Sequence, residues 1–325
     1  MEEACSSSEN HILQLPNTCV NCYLCYGDFC ATFTGKIDLL IDLCQRHGVL
    51  FSHRTCPTCD GECRIDLNKM AFRCNKSYAS FKKKRKRCNF FVSVFKGTWF
   101  ANSHLDMETN LKFVVLWLQD WFSYKAAETE LKLPAVTIAD WSSYCREVIL
   151  SWALKNNNNN KIGGANQTVE LNQAEFGRKK CSVRHIVEGQ WAFGGICRDT
   201  RQFFMIPVDA CNRDTLLHII KEKIEPGSTV ISDCWQEYNC VLSEDYEELK
   251  VSQSLNFKNP VNGALTNATR RKWLGTRSLL RVIRKKKMSM VGYLATSYFK
   301  QHIVDSTRRL HLFLHATSQF YPPAK

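Results

Sequence analysis

Four cysteines in the first third of the chain have a spacing that could bind a metal ion. Cys56 and Cys59 are separated by two residues, and Cys74 and Cys88 follow at longer intervals. Two thiolates separated by two residues can bind one Zn²⁺ from a knuckle turn, and two thiolates from a facing hairpin can complete the tetrahedron. We therefore predict a structural zinc ribbon with these four ligands. Four unrelated buried thiols are the alternative, because free cysteine is often buried.

Further cysteines could take part in metal binding. Cys63 is the first candidate to replace one of the four ligands. Nearer the N-terminus, a second group has short spacings but no second knuckle a hairpin's length away, so a second zinc site there stays open. This group consists of Cys19, Cys22, Cys25 and Cys30. Six others lie within apolar patterns and are predicted to be core residues: Cys145, Cys181, Cys197, Cys211, Cys234 and Cys240.

The cellular compartment decides whether these thiols stay reduced. Residues Met1–Ser8 are acidic and polar, without the basic-then-apolar order of a secretory signal. The most apolar run, Leu111–Trp121, contains Lys112 and Asp120 and does not reach the length of a bilayer span. We therefore expect an intracellular chain with reduced thiols and no membrane association.

The net charge of +13 is concentrated in two stretches of the chain. Residues 51–100 hold 12 basic and 3 acidic side chains, including the unbroken run Lys82–Arg87. Residues 249–304 hold 12 basic side chains and no acidic one. Stretches of one sign are costly to hold together unless a polyanion screens them, so we expect a nucleic acid partner. A solvated basic face or a nuclear import signal is the alternative.

A helical region follows the predicted ribbon. One helix is expected over Met107–Phe122, and two more over Tyr124–Leu131 and Val136–Ala153, with a break at Pro134. A short helix, a tight turn and a longer helix are typical of a helix-turn-helix, whose second helix enters the DNA major groove. An ordinary helical hairpin is the alternative. On the second helix we expect exposed side chains at Thr137, Asp140, Ser142, Ser143 and Arg146, and core side chains at Val136, Trp141, Tyr144 and Val148.

The second half of the chain has the pattern of a sheet. The run Asn156–Asn160 with the glycines after it predicts a linker. Beyond it, β-branched and aromatic residues predict strands, with one helix before the last strand. The strands are expected at Thr168–Leu171, Gln190–Arg198, Gln202–Val208 and Thr229–Asp233, and the helix at Arg213–Lys223. This order predicts an α/β domain with a mixed sheet.

Several separated motifs in this half resemble one known family. They are Val169–Gln173, Val187–Gly195, Ile231–Asp233 with Trp235 and Tyr238, Asn256–Phe257, Asn262–Ala264, and Thr266–Asn267 leading to Trp273. Together they resemble the RNase H-like core of DDE transposases of the Merlin superfamily and its bacterial insertion-sequence relatives. The zinc ribbon, the stretch Lys96–Phe100 and the helix-turn-helix match that family's N-terminal order, so the resemblance runs from about Cys56 to Gln301.

The resemblance implies an α/β fold in which an RNase H-like mixed-sheet domain is preceded by a zinc ribbon and a helix-turn-helix domain. The expected divisions are a Cys-rich N-terminal region (1–50), the zinc ribbon (51–100), the helix-turn-helix domain (101–155), an Asn-rich linker (156–165), the RNase H-like domain (166–305) and a C-terminal tail (306–325).

The resemblance also identifies the positions of the family's catalytic acids. Such enzymes hold two Mg²⁺ or Mn²⁺ ions with three carboxylates. The second acid is retained as Asp233, but the first falls on Asn172, with Gln173 beside it, and the third falls on Arg270. A guanidinium at close range would repel a metal ion by about 4 kcal/mol or more at an effective dielectric constant near 20. Glu170 shares the face of Asn172 and could partly replace it, which leaves residual activity as an alternative.

We therefore expect a transposase-derived DNA-binding protein of the nucleus that has lost strand cleavage and transfer. Its cofactor would be structural Zn²⁺, with Mg²⁺ or Mn²⁺ only if cleavage is retained. The alternatives are an active metal-dependent transposase, a decayed transposon copy without a role, and a protein-interaction role for residues 1–50.

Double-stranded DNA is the expected partner, and the family implies a homodimer. The side chains expected to contact DNA are Lys82, Lys83, Lys84, Arg85, Lys86, Arg87, Thr137, Ser142, Arg146, Arg271, Lys272, Arg277, Arg284, Lys285, Lys286 and Lys287.

Overall fold

The structure is a computed structural model that describes residue 19 and residues 22–79, 85–157, 161–176, 179–182, 185–187, 190–233, 247–251 and 287–324. These residues form two compact units. The N-terminal unit contains the described residues up to Val148 together with those from Ile303 onward, and the central unit contains Ile149 to His302. The first and the last described residues therefore belong to the same unit.

Short antiparallel strands form one part of the N-terminal unit. They are β1 (Arg64–Asp66), β2 (Ala71–Arg73), β3 (Ser77–Ala79), β4 (Arg85–Arg87) and β5 (Phe91–Ser93). A three-stranded sheet has the order β1-β2-β5, and β3 pairs with β4 in a separate two-stranded ribbon. Both ladders of the sheet and the ladder of the ribbon are antiparallel. In chain order, the β3–β4 ribbon is thus an insertion between β2 and β5.

Helices make up the rest of the N-terminal unit. They are α1 (Tyr26–Phe33), α2 (Ile37–Arg46), α3 (Met107–Leu118), α4 (Tyr124–Leu131), the first part of α5 (Ala135–Asn157) and α8 (Arg309–Phe320). Side chains of Cys25, Asp106 and Ser123 cap the starts of α1, α3 and α4 by accepting main-chain N–H groups. Helix α4 has the predicted bounds, and α3 ends four residues earlier than predicted, because Gln119 is extended.

Residues 306–325, expected to be a tail, contribute α8 to this unit. Arg309 at the start of α8 is 2% exposed, and its guanidinium donates to the main-chain oxygens of Leu118 and Ile303. It also donates to both carboxylate oxygens of Asp120, at 2.8 and 3.2 Å. These bonds attach the start of α8 to the end of α3.

A five-stranded mixed sheet forms the central unit. Its strands are β6 (Thr168–Phe176), β9 (Gln190–Cys197), β10 (Phe203–Val208), β11 (Thr229–Asp233) and β12 (Glu247–Val251), and a separate pair consists of β7 (Lys179–Ser182) and β8 (His185–Val187). The order is β10-β9-β6-β11-β12. Strand β9 is antiparallel to β6 and β10, whereas β11 is parallel to β6 and β12. The predicted α/β class with a mixed sheet is confirmed.

Two helices accompany this sheet, α6 (Arg213–Lys223) and α7 (Lys287–His302). One apolar cluster joins Val169, Leu171 and Phe193 of the sheet to Ile219 and Ile220 of α6. The bounds of α6 and β11 are as predicted from the sequence. Strand β6 extends to Phe176, beyond its predicted end, because it pairs with β9 from Val169 to Phe176.

The second apolar contact of the central unit involves aromatic rings. The ring centroid of Tyr298 on α7 lies 5.1 Å from that of Phe203 on β10, and the ring centroid of Phe299 lies 4.8 Å from that of Trp152.

In the part of the chain that the structure describes, no helix is both long enough and apolar enough to span a bilayer.

Candidate metal centres

The four cysteines of the predicted zinc ribbon come together in the N-terminal unit. Sγ of Cys56 lies 3.5 Å from Sγ of Cys88, and Sγ of Cys59 lies 3.4 Å from Sγ of Cys74. All four sulphur atoms are within 4.8 Å of one another. In a tetrahedral site with Zn–S bonds of about 2.3 Å, the sulphur atoms are about 3.8 Å apart. The cluster therefore has the size of a site that could hold a metal such as zinc.

A knuckle turn positions the first two sulphur atoms. The N–H of Cys56 donates to the carbonyl oxygen of Gly61 at 2.8 Å, and the N–H of Asp60 donates to that of Cys56 at 2.9 Å. Asp60 has a left-handed φ of 51°, which closes the turn. The main-chain N–H groups of Thr58 and Cys59 donate to Sγ of Cys56. Such bonds orient a metal ligand and stabilise its thiolate form.

The base of the β3–β4 ribbon positions the other two sulphur atoms. The N–H of Cys88 donates to the carbonyl oxygen of Lys76 at 2.8 Å, and the N–H of Cys74 donates to that of Phe90 at 3.0 Å. Two residues separate Cys74 from the start of β3, and Cys88 follows β4 directly. The ribbon therefore begins and ends at the group of four cysteines.

The pKa values of these thiols reflect their crowding. Burial raises the pKa of Cys56, but the N–H of Thr58 and the thiol of Cys88 outweigh that effect and lower it to about 6. The N–H of Phe90 lowers the pKa of Cys88, whereas burial and the neighbouring thiols raise it to about 12. One stabilised thiolate thus opposes the ionisation of its neighbours. A bound cation would offset this repulsion, because metal binding favours the thiolate form of its cysteine ligands.

Cys63, the predicted substitute ligand, lies beside this cluster but is not part of it. Burial and the charge of Cys56 raise the pKa of Cys63 to about 11. Its side chain packs with Phe72 and Val92 in the apolar cluster that surrounds the four thiols.

A second group of ligand atoms lies in the same unit and combines two cysteines with two histidines. Sγ of Cys22 is 3.2 Å from Nδ1 of His311, and Sγ of Cys19 is 3.3 Å from Nε2 of His47. The two histidine nitrogens are 3.0 Å apart. All four ligand atoms lie within 4.8 Å of one another, so this cluster too could hold a metal such as zinc.

Two of the four N-terminal cysteines have other contacts. Cys25 caps α1 by accepting the N–H of Asp28 at 3.4 Å, and Cys30 forms a side-chain hydrogen bond with Tyr26. For Cys19 and Cys22, the spacing of two intervening residues was the sequence feature that indicated metal binding. No local spacing points to His47 and His311, because they lie 28 and 289 positions from Cys19 and Cys22 along the chain and only folding brings them close.

Burial favours the uncharged forms of Cys22, His47 and His311 in the second cluster. It lowers the pKa of His311 to about 4, with a further contribution from His47, whose own pKa burial also lowers. Burial and a hydrogen bond with Cys19 raise the pKa of Cys22 to about 12. Nδ1 of His47 lies 2.7 Å from the carbonyl oxygen of Leu43. Nδ1 therefore carries the proton, and Nε2 directs its lone pair toward the cluster.

The predicted helix-turn-helix corresponds to α4 and α5. Lys132 joins them with a left-handed φ of 54°, and Pro134 precedes the first residue of α5. Thr137 and Arg146 are partly exposed, as expected for side chains available to DNA. The expectation for Ser142 is wrong, since this residue is fully buried.

The core face of α5 differs from the predicted one. Val136 and Tyr144 were expected in the core, but they are 72% and 49% exposed. Trp141 and Val148 are buried as predicted, and Asp140 and Ser143 are exposed as predicted. The buried stripe follows three- and four-residue steps through Ile138, Trp141, Ser142, Cys145, Val148 and Ile149.

Other cysteine predictions have mixed outcomes. Cys145 and Cys197 are fully buried, which confirms their assignment to the core. Cys211 is partly exposed at the edge of the central core. Cys181 lies on β7, and Cys234 and Cys240 lie outside the described residues.

Two positions where the resemblance expects catalytic acids lie on the neighbouring strands β6 and β11. The last pair of the ladder between these strands joins Ile231 to Glu170. Asp233 and Asn172 each lie two residues beyond that pair in the chain. Gln173, the next residue on β6, has a buried Oε1 without a hydrogen-bond partner.

The carboxylate of Glu170 is engaged elsewhere. Its side chain is 3% exposed, and Oε1 accepts a bond from Nε of Arg198 at 2.6 Å. At this distance the guanidinium and the carboxylate form a charge-assisted hydrogen bond. Glu170 is thus a structural ion-pair partner rather than a free acid.

Most of the basic side chains expected at a DNA interface lie outside the described residues, and so does Arg270. Arg87 is exposed at the end of β4, whereas Arg85 and Lys86 are described as backbone of β4 and Lys287 as the first residue of α7. Those outside are Lys82, Lys83, Lys84, Arg271, Lys272, Arg277, Arg284, Lys285 and Lys286.

Compared with known protein families and with curated proteins, the chain matches no family model and no curated protein.

Proposed function

We propose that this protein is a zinc-dependent DNA-binding protein of the nucleus, derived from a DDE transposase and without strand-cleaving activity. The proposal depends mainly on the position of the basic run Lys82–Arg87 next to the group of four cysteines. This run ends in β4, and the ribbon to which β4 belongs starts and finishes at the metal-cluster residues Cys74 and Cys88.

The shape of the ribbon supports contact with duplex DNA. The DNA major groove accepts a two-stranded β-ribbon as well as an α-helix. In the ladder, Ser77 lies opposite Arg87 and Ala79 lies opposite Arg85, so both strands lead away from the cysteines. Lys82, Lys83 and Lys84 lie between the two strands in the chain. A bound Zn²⁺ would fix the base of the ribbon, and its basic side chains would bind phosphates.

The helical pair α4–α5 supplies a second candidate contact. A helix of eight residues, a turn with a left-handed residue and a longer helix fit the outline of a helix-turn-helix. Its available side chains include Thr137, Ser143 and Arg146. The buried Ser142 is not among them.

The central sheet supports descent from a transposase. Numbered along the sheet by chain order, its strands run 3-2-1-4-5, with the second strand antiparallel to its neighbours, and this mixed order supports the proposed RNase H-like assignment. The two positions at which the resemblance expects acids lie on the neighbouring strands β6 and β11, but one holds Asn172, and the nearby Glu170 is paired with Arg198. Two Mg²⁺ ions would lack their usual carboxylates there.

The test is fluorescence anisotropy of the zinc-loaded full chain with duplex DNA, over a salt series from about 50 to 200 mM. We expect log K to fall steeply with log salt, and the triple change of Lys82, Lys83 and Lys84 to Gln to reduce the slope by about 2.7, since each phosphate contact contributes about 0.9. Gln202→Ala, at an exposed uncharged residue of the central unit with no assigned DNA contact, serves as the control. A salt-independent affinity would contradict the DNA-binding proposal and favour a decayed copy.

A nicking assay tests the loss of catalysis separately. With Mg²⁺ or Mn²⁺ and supercoiled DNA, we expect no cleavage above the level of Asp233→Ala. Metal-dependent nicking by the native chain that disappears in Asp233→Ala would instead identify an active transposase.

A further inference from the structure

We propose that Cys19, Cys22, His47 and His311 form a second structural zinc centre, which links the N-terminal segment of the chain to its C-terminal helix. This centre is independent of the proposed DNA-binding function. It adds a second metal ion to the one expected in the zinc ribbon.

The distances fit a tetrahedral site with two sulphur and two nitrogen ligands. With Zn–S bonds of about 2.3 Å and Zn–N bonds of about 2.05 Å, the sulphur–nitrogen edges are about 3.6 Å and the nitrogen–nitrogen edge is about 3.3 Å. The observed sulphur–nitrogen distances are 3.2 and 3.3 Å, and the two nitrogens are 3.0 Å apart. Each observed distance is within about 0.4 Å of the value for a tetrahedral site.

The two histidine rings are held in position for this role. His47 follows α2 directly, and the bond from its Nδ1 to the carbonyl oxygen of Leu43 fixes the ring. The ring of Tyr23 stacks on that of His311 with 5.4 Å between centroids. Nδ1 of His311 contacts Sγ of Cys22 and Nε2 of His47, which are both atoms of the cluster. Orientation of a ligating ring by neighbouring groups is typical of metal sites.

Separate contacts bring the segments together at the same place. The N–H of Leu24 donates to the carbonyl oxygen of Thr307 at 3.2 Å. Gly48 approaches α8 so closely that an added Cβ would lie 3.4 Å from Cβ of Ser318. The cluster is therefore the meeting point of three packed segments rather than a chance approach of surface side chains.

Four protein ligands and burial indicate a structural site. Cys22, His47 and His311 are all less than 8% exposed. A catalytic zinc site keeps one position open for water or substrate, whereas a structural site is closed by four protein ligands. Zn²⁺ is favoured over Mg²⁺ or Ca²⁺, because the donors are thiolate and imidazole rather than oxygen.

The metal content of the full-length chain tests the proposal. After expression with zinc, we expect two zinc ions per chain in the native protein and one in Cys22→Ser. Cys59→Ser, which changes the ribbon cluster, should also retain one. Cys30→Ser is the matched control, because it changes an N-terminal cysteine outside the cluster, and it should retain two. A native chain with one zinc ion that Cys22→Ser retains and Cys59→Ser loses would overturn the second centre.

If Cys22→Ser fails to fold, a cobalt spectrum of a variant that keeps four ligands tests the second centre instead. His311→Cys keeps a ligand at the same place but changes the donor set from two to three thiolates. In the Co²⁺-loaded protein we expect the sulphur-to-cobalt charge-transfer absorption to rise by about one sixth, from six thiolates in the two sites to seven. A spectrum identical to that of the native chain would show that His311 does not bind the metal.

Discussion

The thiol of Cys22 lies 3.2 Å from Nδ1 of His311, although 289 positions separate the two residues in the chain. The N-terminal unit is thus assembled from both ends of the described sequence, with the whole central unit inserted between them. Metal binding at this point would depend on both ends, because neither end alone supplies four ligands.

Loss of this contact should loosen both segments that it joins. We expect His311→Ala to increase amide hydrogen exchange in α1 and α8, because the metal would lose one of its four ligands. Exchange in α6 of the central unit should stay unchanged and provides the internal reference. Equal exchange in α1 for the native chain and the variant would show that the cluster does not stabilise the N-terminal segment.

The ribbon cluster should control DNA affinity. We expect Cys59→Ser to weaken DNA binding at least tenfold, since the base of the β3–β4 ribbon would lose its metal. Cys63→Ser is the matched control, because Cys63 is a buried neighbour outside the ligand group. Anisotropy titrations of both variants at one salt concentration make the comparison. Equal losses in the two variants would point to general unfolding instead.

The buried guanidinium of Arg309 should be essential for stability. Arg309→Leu removes the partner of Asp120 and leaves two main-chain oxygens, those of Leu118 and Ile303, without this donor. We expect the free energy of unfolding to fall by about 3 kcal/mol, the lower end for breaking a buried pair, since Asp120 itself is 68% exposed. Arg308→Ala, one residue earlier, should change it by less than about 0.5 kcal/mol. Urea denaturation followed by tryptophan fluorescence measures both.

Ser142 should be a packing residue rather than a DNA contact. Its Oγ is buried without a hydrogen-bond partner in the structure. We expect Ser142→Ala to raise the free energy of unfolding by about 1 kcal/mol, because the cost of burying an unpaired hydroxyl disappears. DNA affinity should remain unchanged. A loss of affinity with unchanged stability would restore the DNA-contact interpretation.

The cap of α3 should make stability depend on acidic pH. Burial raises the pKa of Asp106, but the hydroxyl and N–H of Thr109 outweigh this and hold the pKa below its usual 3.8. The charged cap therefore stabilises the fold fully above about pH 4, and its contribution is lost as the pH falls through the lowered pKa. Asp106→Asn keeps a capping side chain that does not titrate. The difference in unfolding free energy between this variant and the native chain should be constant near neutral pH and shrink below about pH 4.

The ribbon cluster and the central sheet show how much local sequence patterns can predict. Cys56 and Cys59 were recognisable because a two-residue spacing belongs to one turn, whose geometry the local chain fixes. Helix α6 and strand β11 were predicted with their observed bounds because turn residues surround each apolar pattern. In α5, by contrast, Ser142 was assigned to the wrong face, because a polar side chain in a helix does not reveal that a neighbouring element covers it.

The sequence by itself determined the knuckle cysteines, the basic run beside them and the mixed α/β class. Each of these depends on residue type or on neighbours in the chain. Only the tertiary structure decided that His47 and His311 join Cys19 and Cys22, and that Glu170 is paired with Arg198. These contacts link residues from distant parts of the chain, and their geometry follows from the packing of helices and strands that no local spacing encodes.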